Sequence, residues 1–142
     1  MKIFFIIPYF YPKGATPPPR EIIYQPEIYI YIKDFGEKDD CGVVAESDGK
    51  ILAMAWTRII AGYGHIDDAT PELAISILPE YRGNGIGTKL MKYLFELLSK
   101  RGYKQTSLSV QKANPAVIFY ERLGYKIHDC PKHEDYLMIK EL

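Results

Sequence analysis

A chain of 142 residues is close to the commonest size of a single domain, so residues 1–142 are expected to share one hydrophobic core. With 47% hydrophobic and 25% charged residues, the composition is that of an ordinary globular protein and excludes a disordered one. The 18 Lys and Arg residues balance the 18 Asp and Glu residues, which argues against DNA, RNA or an anionic membrane as a partner.

The N-terminal region begins with an apolar run. Residues 3–10 form the longest such run, but Pro8 interrupts it and it is far shorter than the roughly 20 residues that cross a bilayer. Lys2 in front of the run gives it a faint likeness to a signal peptide, yet no A-x-A-like cleavage site follows. We therefore expect no membrane span and a cytoplasmic protein.

The next element covers residues 26–35. Its apolar residues fit both the spacing of a helix and the alternation of a strand, so periodicity does not decide between them. Pro26 at the start of the segment and Gly36 directly after it favour a helix.

A β-hairpin is predicted next. Residues 43–46 and 51–60 have the composition of strands, and Asp48-Gly49 between them is typical of a tight turn.

A strand, a glycine-rich loop and a long helix follow the hairpin. Residues 72–77 alternate between large and small side chains, which predicts a strand, and residues 82–87 form the loop. From Ile86 to Leu98 apolar residues recur at helical spacing with lysines on the opposite side, and Gly102 is a stop signal. These features predict an amphipathic helix.

The C-terminal part of the chain contains one more helix and three strands. In chain order they are a strand over residues 107–110, a helix from Asn114-Pro115 through Leu123 with Gly124 as its stop, a strand beginning within residues 125–128, and a strand over residues 136–140. This order predicts an α/β (α+β) fold with a mixed sheet flanked by helices.

The loop between the strand and the long helix suits a phosphorylated ligand. Its glycines allow the backbone to turn closely around a ligand, and the free N-H groups at the following helix start favour a pyrophosphate. A dinucleotide fingerprint would need a further glycine at Thr88 or Leu90, and a Walker loop would need Gly-Lys-Ser/Thr after its first glycine. NAD and ATP are therefore disfavoured.

Arg82, Gly85 and Gly87 instead form the pattern R-x-x-G-x-G within the run ELAISILPEYRGNGIGTKL. This run resembles the central motif of the GNAT superfamily of N-acetyltransferases, and the segment from Asn114 to Tyr125 resembles a second motif of that family one strand later. The resemblance covers about residues 26–142. The N-terminus departs from it, so that the first strand of the family either corresponds to residues 2–7 or is missing.

The resemblance implies a sheet that is splayed at its centre, with acetyl-CoA lying between the splayed strands and its pyrophosphate on the loop. It further implies direct transfer of the acetyl group to a primary amine, without an acyl-enzyme. Tyr120 matches the family position of the acid that protonates the departing CoA thiolate. The implied contacts with acetyl-CoA are Ile75, Ile77, Leu78, Arg82, Gly83, Asn84, Gly85, Ile86, Gly87, Thr88, Asn114 and Tyr120.

Glu72 is the candidate general base. Strand alternation places it on the same face as Ala74 and Ser76, whose small side chains leave room for a thioester and an amine. A carboxylate there could accept a proton from an ammonium group, directly or through water. The structural alternatives are an exposed carboxylate at the start of a strand for Glu72 and a core aromatic for Tyr120, and the glycine-rich loop could simply allow close packing.

Asp67 and Asp68, with His65 just ahead of them, form an acidic loop that either attracts a cationic amine or is solvated, and we expect solvation. His128 and His133 lack the spacing of metal ligands, so no metal site is predicted.

Cys41 and Cys130 form neither a C-x-x-C motif nor a paired Cys/His motif. We expect both to be buried free thiols and not nucleophiles.

Two other functions are compatible with the same sequence. One is a catalytically silent acyl-CoA-binding module, and the other is a partner-binding domain that uses a tyrosine-rich N-terminal surface. A homodimer is compatible with each of them. The acceptor is expected to be a small-molecule or peptide amine, recognised by the N-terminal region and the loop over residues 61–71.

Overall fold

The computed structural model describes residues 30–132 and 135–142, with the exception of Ile32. Within these residues, six strands form one sheet, connected in part by two α-helices and a short 3-10 helix. The strands are β1 (Cys41–Ser47), β2 (Lys50–Arg58), β3 (Glu72–Ile77), β4 (Gln105–Gln111), β5 (Lys126–Lys132) and β6 (Asp135–Glu141). The helices are α1 (Ile86–Lys100), α2 (Ala116–Arg122) and the 3-10 helix Pro79–Tyr81. The strand predicted within residues 2–7 lies outside the described residues.

The sheet has the strand order β1-β2-β3-β4-β6-β5. Neighbouring strands run antiparallel except for β3 and β4, which run parallel and meet at the centre of the sheet. The predicted mixed sheet flanked by helices is confirmed.

The hairpin between β1 and β2 also confirms the sequence prediction. Ser47 pairs with Lys50, and the two residues between them, Asp48 and Gly49, have φ angles of 51° and 79°. Positive φ at both central residues is typical of a type I′ turn, whose twist matches that of the flanking strands.

The hydrophobic core lies between α1 and one face of the sheet. Leu90, Met91, Leu94 and Leu98 of α1 are buried, and the helix packs against β1 and β2. Burying a leucine or methionine side chain contributes roughly 1.5–3 kcal/mol, so this helix face is a main source of stability. The sheet contributes Cys41, Val43, Ala53, Ala55, Leu73, Ile75, Leu108, Val110 and Met138 to the core.

The helix predicted over residues 26–35 is wrong in the part that the structure describes. Tyr31 and Asp34 lie in turns, and Asp34 has a positive φ of 53°. The guanidinium of Arg58 donates hydrogen bonds to carbonyl oxygens of this segment, including those of Ile30 and Lys33. These carbonyls therefore bind a distant arginine instead of the amides of a helix. Residues 26–29 lie outside the described part of the chain.

The other elements differ from prediction only at their ends. Helix α2 begins at Ala116 and not at Asn114, and β5 begins at Lys126. Gly102 and Gly124 follow α1 and α2 with φ angles of 92° and 100°, which confirms their roles as helix stops. Among the described helices, none has the length and apolar character required to span a bilayer.

Candidate active site

The centre of the sheet contains a gap between its two parallel strands. Glu72 and Ser107 are the paired residues of β3 and β4, and the amide of Ser107 donates to the carbonyl oxygen of Pro71 at 3.0 Å. Beyond this point the two strands form no further backbone ladder. Their inner edges are therefore free toward their C-terminal ends, where the glycine-rich loop follows β3.

The edge of β3 that faces the gap presents the backbone groups of two residues that were predicted to contact acetyl-CoA. The amide of Leu78 donates to the carbonyl oxygen of Leu52 at 3.0 Å, and residues of an antiparallel strand alternate in the side toward which they hydrogen-bond. The backbone groups of Ile75 and Ile77 consequently point away from β2 and toward the gap. Leu78 differs from them, because its amide and its carbonyl oxygen both have backbone partners, the carbonyl oxygen of Leu52 and the amide of Tyr81.

The glycine-rich loop leaves open space in front of α1. Gly83 and Gly85 both have a φ of 79°, and a Cβ at either position would have no atom within 4 Å. No side chain caps α1, so the amides of Ile86, Gly87 and Thr88 are directed at this space without helical partners. Free amides at a helix start, together with the helix dipole, suit a phosphate group.

Two predicted loop residues have clear structural contacts. The Arg82 Nε donates to the carbonyl oxygen of Ile77 at 3.2 Å and so fastens the loop to the end of β3. A Cβ at Gly87 would lie 2.8 Å from the Cδ1 of Ile77 and 3.2 Å from the Cζ of Phe119. Gly87 thus allows α1 to approach β3 and α2 closely, as the packing alternative anticipated for the loop.

A basic pocket of about 290 Å³ lies beside the start of α1. Thr88 lines it together with Lys92, Arg122 and Lys140, and none of these three cations has a carboxylate partner among the residues that the structure describes. Sequence analysis did not single out these cations, because α1, α2 and β6 bring them together from distant parts of the chain.

Tyr120 lies on α2 with an unpaired hydroxyl. Its ring packs against Phe119 and Tyr125, with centroid separations of 5.5 and 5.8 Å. Its hydroxyl has no hydrogen-bond partner in the described part of the chain. Burial raises the pKa of Tyr120 to about 12, which keeps the hydroxyl protonated at neutral pH. Asn114, near the start of the same helix, accepts the amide of Ala116 with its Oδ1 at 2.9 Å.

Glu72 is only 2% exposed, and both of its carboxylate oxygens accept hydrogen bonds. Oε1 accepts the amide of Gly62 at 3.0 Å, and Oε2 accepts the amide of Gly64 at 3.0 Å and the hydroxyl of Tyr31 at 2.9 Å. Burial raises the pKa of the Glu72 carboxyl above its ordinary value, and the three hydrogen bonds oppose that rise.

The strand face of Glu72 was expected to be open, and part of it is covered. Trp56 pairs with Ala74 across β2 and β3, and its Nε1 donates to the carbonyl oxygen of Tyr31 at 2.9 Å. Tyr31 was missed by the sequence analysis, since nothing local distinguishes it among twelve tyrosines.

Arg58 is a second buried residue that the sequence analysis missed. It pairs with Asp40 at 2.9 Å, with side chains that are 6% and 4% exposed. Burial alone would raise the pKa of Asp40, but hydrogen bonds from Arg58, Gly36 and Glu37 outweigh it and hold that pKa below its ordinary value. Arg58 also donates to the carbonyl oxygens of Ile30, Lys33 and Asp34, which ties these residues to the sheet.

The acidic loop before β3 contributes no enclosed carboxylates. Asp68 is fully exposed and lies 4.0 Å from the Nε2 of His65, while Asp67 accepts the amide of Ala69 at 2.8 Å. His128 is exposed, and His133 lies outside the described residues. Of the two cysteines, Cys41 is buried and free, and the side chain of Cys130 is not described. The described residues contain no group of three potential metal ligands.

Comparison with known proteins relates the chain to acetyltransferases. The model of the acetyltransferase (GNAT) family matches residues 8–125, so the match begins nearer the N-terminus than the resemblance traced in the sequence. An acetyltransferase of Pectobacterium atrosepticum is 36% identical over 93 residues, which cover 64% of this chain and 61% of that protein. The ribosomal protein bS18 alanine N-acetyltransferase of Escherichia coli is 35% identical over 79 residues, 55% of this chain and 49% of that protein.

Solved structures share the fold. The PaiA N-acetyltransferase from Thermoplasma acidophilum in complex with coenzyme A superimposes with a TM-score of 0.61 and 25% identity, over 73% of this chain and 62% of that chain. This chain spans about half to three fifths of the length of the two curated relatives. Because the family model matches most of its residues, this chain belongs to the acetyltransferase (GNAT) family.

Proposed function

We propose that the protein transfers the acetyl group of acetyl-CoA to a primary amine. The observation that carries this proposal is the gap between β3 and β4, whose open end meets the uncapped start of α1. A ligand with an extended arm and a pyrophosphate group matches this combination of a free strand edge and free helical amides. The names of the relatives, which are acetyltransferases, support the same chemistry.

The residues that would hold acetyl-CoA come from three parts of the site. The amides of Ile86, Gly87 and Thr88 would bind the pyrophosphate, with Asn84 exposed in the same loop, and the backbone of Ile75 and Ile77 would bind the arm. Lys92, Arg122 and Lys140 would offset the remaining negative charge of the ligand. When bound, acetyl-CoA supplies a thioester carbonyl as the acyl donor.

Tyr120 is the proposed proton donor to the leaving thiolate. Its hydroxyl has no hydrogen-bond partner among the residues that the structure describes, and with a pKa raised to about 12 it keeps its proton at neutral pH. A hydroxyl without a protein partner is available to donate a proton or a hydrogen bond to the leaving thiolate.

The hydrogen bonds of Glu72 argue against it as the base that removes a proton from the amine. A carboxylate has about four acceptor positions, and three protein donors already occupy the carboxylate of Glu72. We therefore expect the amine to react from its neutral form. Such a reaction would become faster as the pH rises toward the pKa of the amine.

The candidate acceptors belong to two classes of amine. The relative in Escherichia coli is named for an alanine of ribosomal protein bS18, and this name supports a peptide α-amine, beside small-molecule amines, as a candidate acceptor. Such an acceptor agrees with the expected cytoplasmic location. A single domain over residues 1–142 and a homodimer are compatible with this activity.

The test combines binding and turnover. Acetyl-CoA at a hundredfold excess over its Kd should stabilise the folded protein by about 2.7 kcal/mol, which raises the melting temperature by several degrees. A panel of peptide and small-molecule amines should then yield acetylated product and free CoA. Binding without turnover of any amine would indicate the acyl-CoA-binding module, and the absence of a melting shift would exclude both functions.

A further inference from the structure

The gap is closed at the end where Glu72 pairs with Ser107. Residues 60–65 lie over this closed end, and we name them the acceptor loop. Gly64 of this loop bonds both central strands at the place where they pair. Its amide donates to Glu72 on β3 at 3.0 Å, and its carbonyl oxygen accepts the hydroxyl of Ser107 on β4 at 2.6 Å. A Cβ at Gly64 would lie 3.0 Å from backbone atoms of Leu108 and Ser109, so the loop lies directly against β4. The acceptor loop is thus fastened to both sides of the gap.

Tyr31 completes a closed set of hydrogen bonds around Glu72. Its hydroxyl donates to the Oε2 of Glu72 at 2.9 Å and accepts the amide of Tyr63 at 2.7 Å. Together with the bonds from Gly62 and Gly64 to Glu72, these contacts hold three consecutive amides of the acceptor loop. A Cβ at Gly62 would lie 2.5 Å from the Tyr31 hydroxyl oxygen, which shows how closely the loop is packed.

The segment that carries Tyr31 is itself held against the sheet. Trp56 bonds the carbonyl oxygen of Tyr31, and Arg58 bonds the carbonyl oxygens of Ile30 and Lys33 on either side of it. Since Arg58 and Trp56 belong to β2, the position of the Tyr31 hydroxyl is fixed from the sheet. These hydrogen bonds therefore link β2 to the acceptor loop through Tyr31 and Glu72.

We propose that Glu72 and Tyr31 are positioning residues that hold the acceptor loop in place. The loop then forms the wall against which the amine is oriented at the closed end of the gap. This inference rests on the proposed acetyl transfer, because it concerns the amine of that reaction. A thioester that lies along β3 from the α1 end would point toward Glu72, and β3 spans roughly 17 Å at 3.3 Å per residue. The acceptor loop then borders the reacting carbonyl. Glu72 acts on the reaction through the loop and not by removing a proton.

The first variant removes one hydroxyl from this arrangement. Tyr31→Phe deletes the donor to Glu72 and the acceptor for Tyr63, and it keeps the aromatic ring. We expect the KM for the amine to rise roughly 10-fold or more, the size expected for one hydrogen bond to a charged group. The Kd for acetyl-CoA and the shape of the kcat against pH profile should not change. The amides of residues 62–64 should exchange with solvent faster, as measured by NMR.

The matched control is Tyr103→Phe. The hydroxyl of Tyr103 also donates to a carboxylate, that of Asp39, and neither residue takes part in the hydrogen bonds around Glu72. This variant should keep the wild-type KM for the amine and the wild-type exchange at residues 62–64. If Tyr31→Phe gave the same KM as Tyr103→Phe in a folded protein, the inference would be overturned.

Glu72→Gln separates positioning from proton removal. An amide nitrogen in place of one carboxylate oxygen would face a donor of the loop, so the variant should show a raised amine KM with an unchanged pH profile. A fall in kcat with loss of an ionisation from the pH profile, at an unchanged KM, would instead identify Glu72 as the base. A wild-type protein that acetylates no amine would defeat the proposed function and this inference together. An active wild type with unaffected variants would defeat the inference alone.

Discussion

At the scale of single residues, the site contrasts a free polar group with a fully bonded one. The hydroxyl of Tyr120 has no partner in the described structure, whereas the carboxylate of Glu72 accepts three hydrogen bonds. A group that must transfer a proton to a substrate needs an available position, and a group that holds a loop needs occupied ones. The two predicted catalytic residues therefore suit different tasks.

Tyr120→Phe tests the first of these tasks. The substitution keeps the ring contacts with Phe119 and Tyr125 and removes only the hydroxyl. We expect kcat to fall about 100- to 10,000-fold, while acetyl-CoA affinity stays within a few fold. Steady-state kinetics under conditions in which chemistry limits turnover would measure this. Tyr93→Phe on the exposed side of α1 should behave like the wild type. An unchanged kcat for Tyr120→Phe would make Tyr120 a core aromatic.

The sequence carried local information about residues and little about their distant contacts. The alternation of large and small side chains placed Glu72 at the first position of β3. From that position we predicted that it shares a face with the small side chains of Ala74 and Ser76. The sequence did not show that Tyr31, 41 positions earlier, bonds the same carboxylate. Such a contact depends on how turns fold back over the sheet, and no period in the sequence records it.

At the scale of elements, α1 and the loop before it combine two roles of glycine. Gly83 and Gly85 adopt positive φ and face open space, whereas Gly87 is enclosed by Ile77 and Phe119. The first two are proposed to shape the loop around the pyrophosphate of acetyl-CoA, and the third lets the helix pack. A sequence pattern treats the three alike because all lack a side chain.

Valine substitutions should distinguish these roles. Gly87→Val would overpack the junction of α1, β3 and α2, and we expect it to lower the free energy of unfolding by roughly 1–3 kcal/mol or more. Gly85→Val creates no such contact but is strained at a φ of 79°, so it should distort the loop and reduce the melting shift given by acetyl-CoA. Urea unfolding and thermal shift would measure the two effects. A melting shift with acetyl-CoA that Gly85→Val left unchanged would contradict the assignment.

Elements with strong local signals were predicted well. The Asp48-Gly49 turn, strand β3 and helix α1 each lie where turn residues and periodicity placed them. The helix predicted near Pro26 failed in its described part because Arg58, which is far along the chain, binds its carbonyls. Local propensity does not include such a partner.

At the scale of the whole molecule, several tyrosines are buried within the fold. Burial raises the pKa of Tyr120 to about 12, and it raises the pKa of Tyr125 and that of Tyr31 further. In the unfolded chain these hydroxyls ionise near their ordinary pKa of 10.0. Above pH 10 the unfolded state therefore binds fewer protons than the folded state, and stability falls as the pH rises.

Alkaline unfolding tests this expectation. The free energy of unfolding should be unaffected by these groups below pH 10 and should be lost progressively between pH 10 and 12, by up to about 1.4 kcal/mol per pH unit for each fully buried tyrosine. Urea unfolding at pH 7 and at pH 11 would measure the loss. Tyr125→Phe removes one such group, whose hydroxyl is buried, so the loss should be smaller in that variant. An equal loss in both proteins would contradict the argument.

In the described part of the chain, the single pairing of β3 with β4 gives the sheet two edges in its interior as well as two at its sides. Free strand edges normally invite another chain, but an edge between two strands of the same sheet admits only something narrow and extended. A substrate arm that fills the gap would satisfy both edges and would become, in structural terms, a seventh strand. The substrate would then be a component of the architecture as well as a reactant, and each catalytic cycle would complete the sheet and open it again.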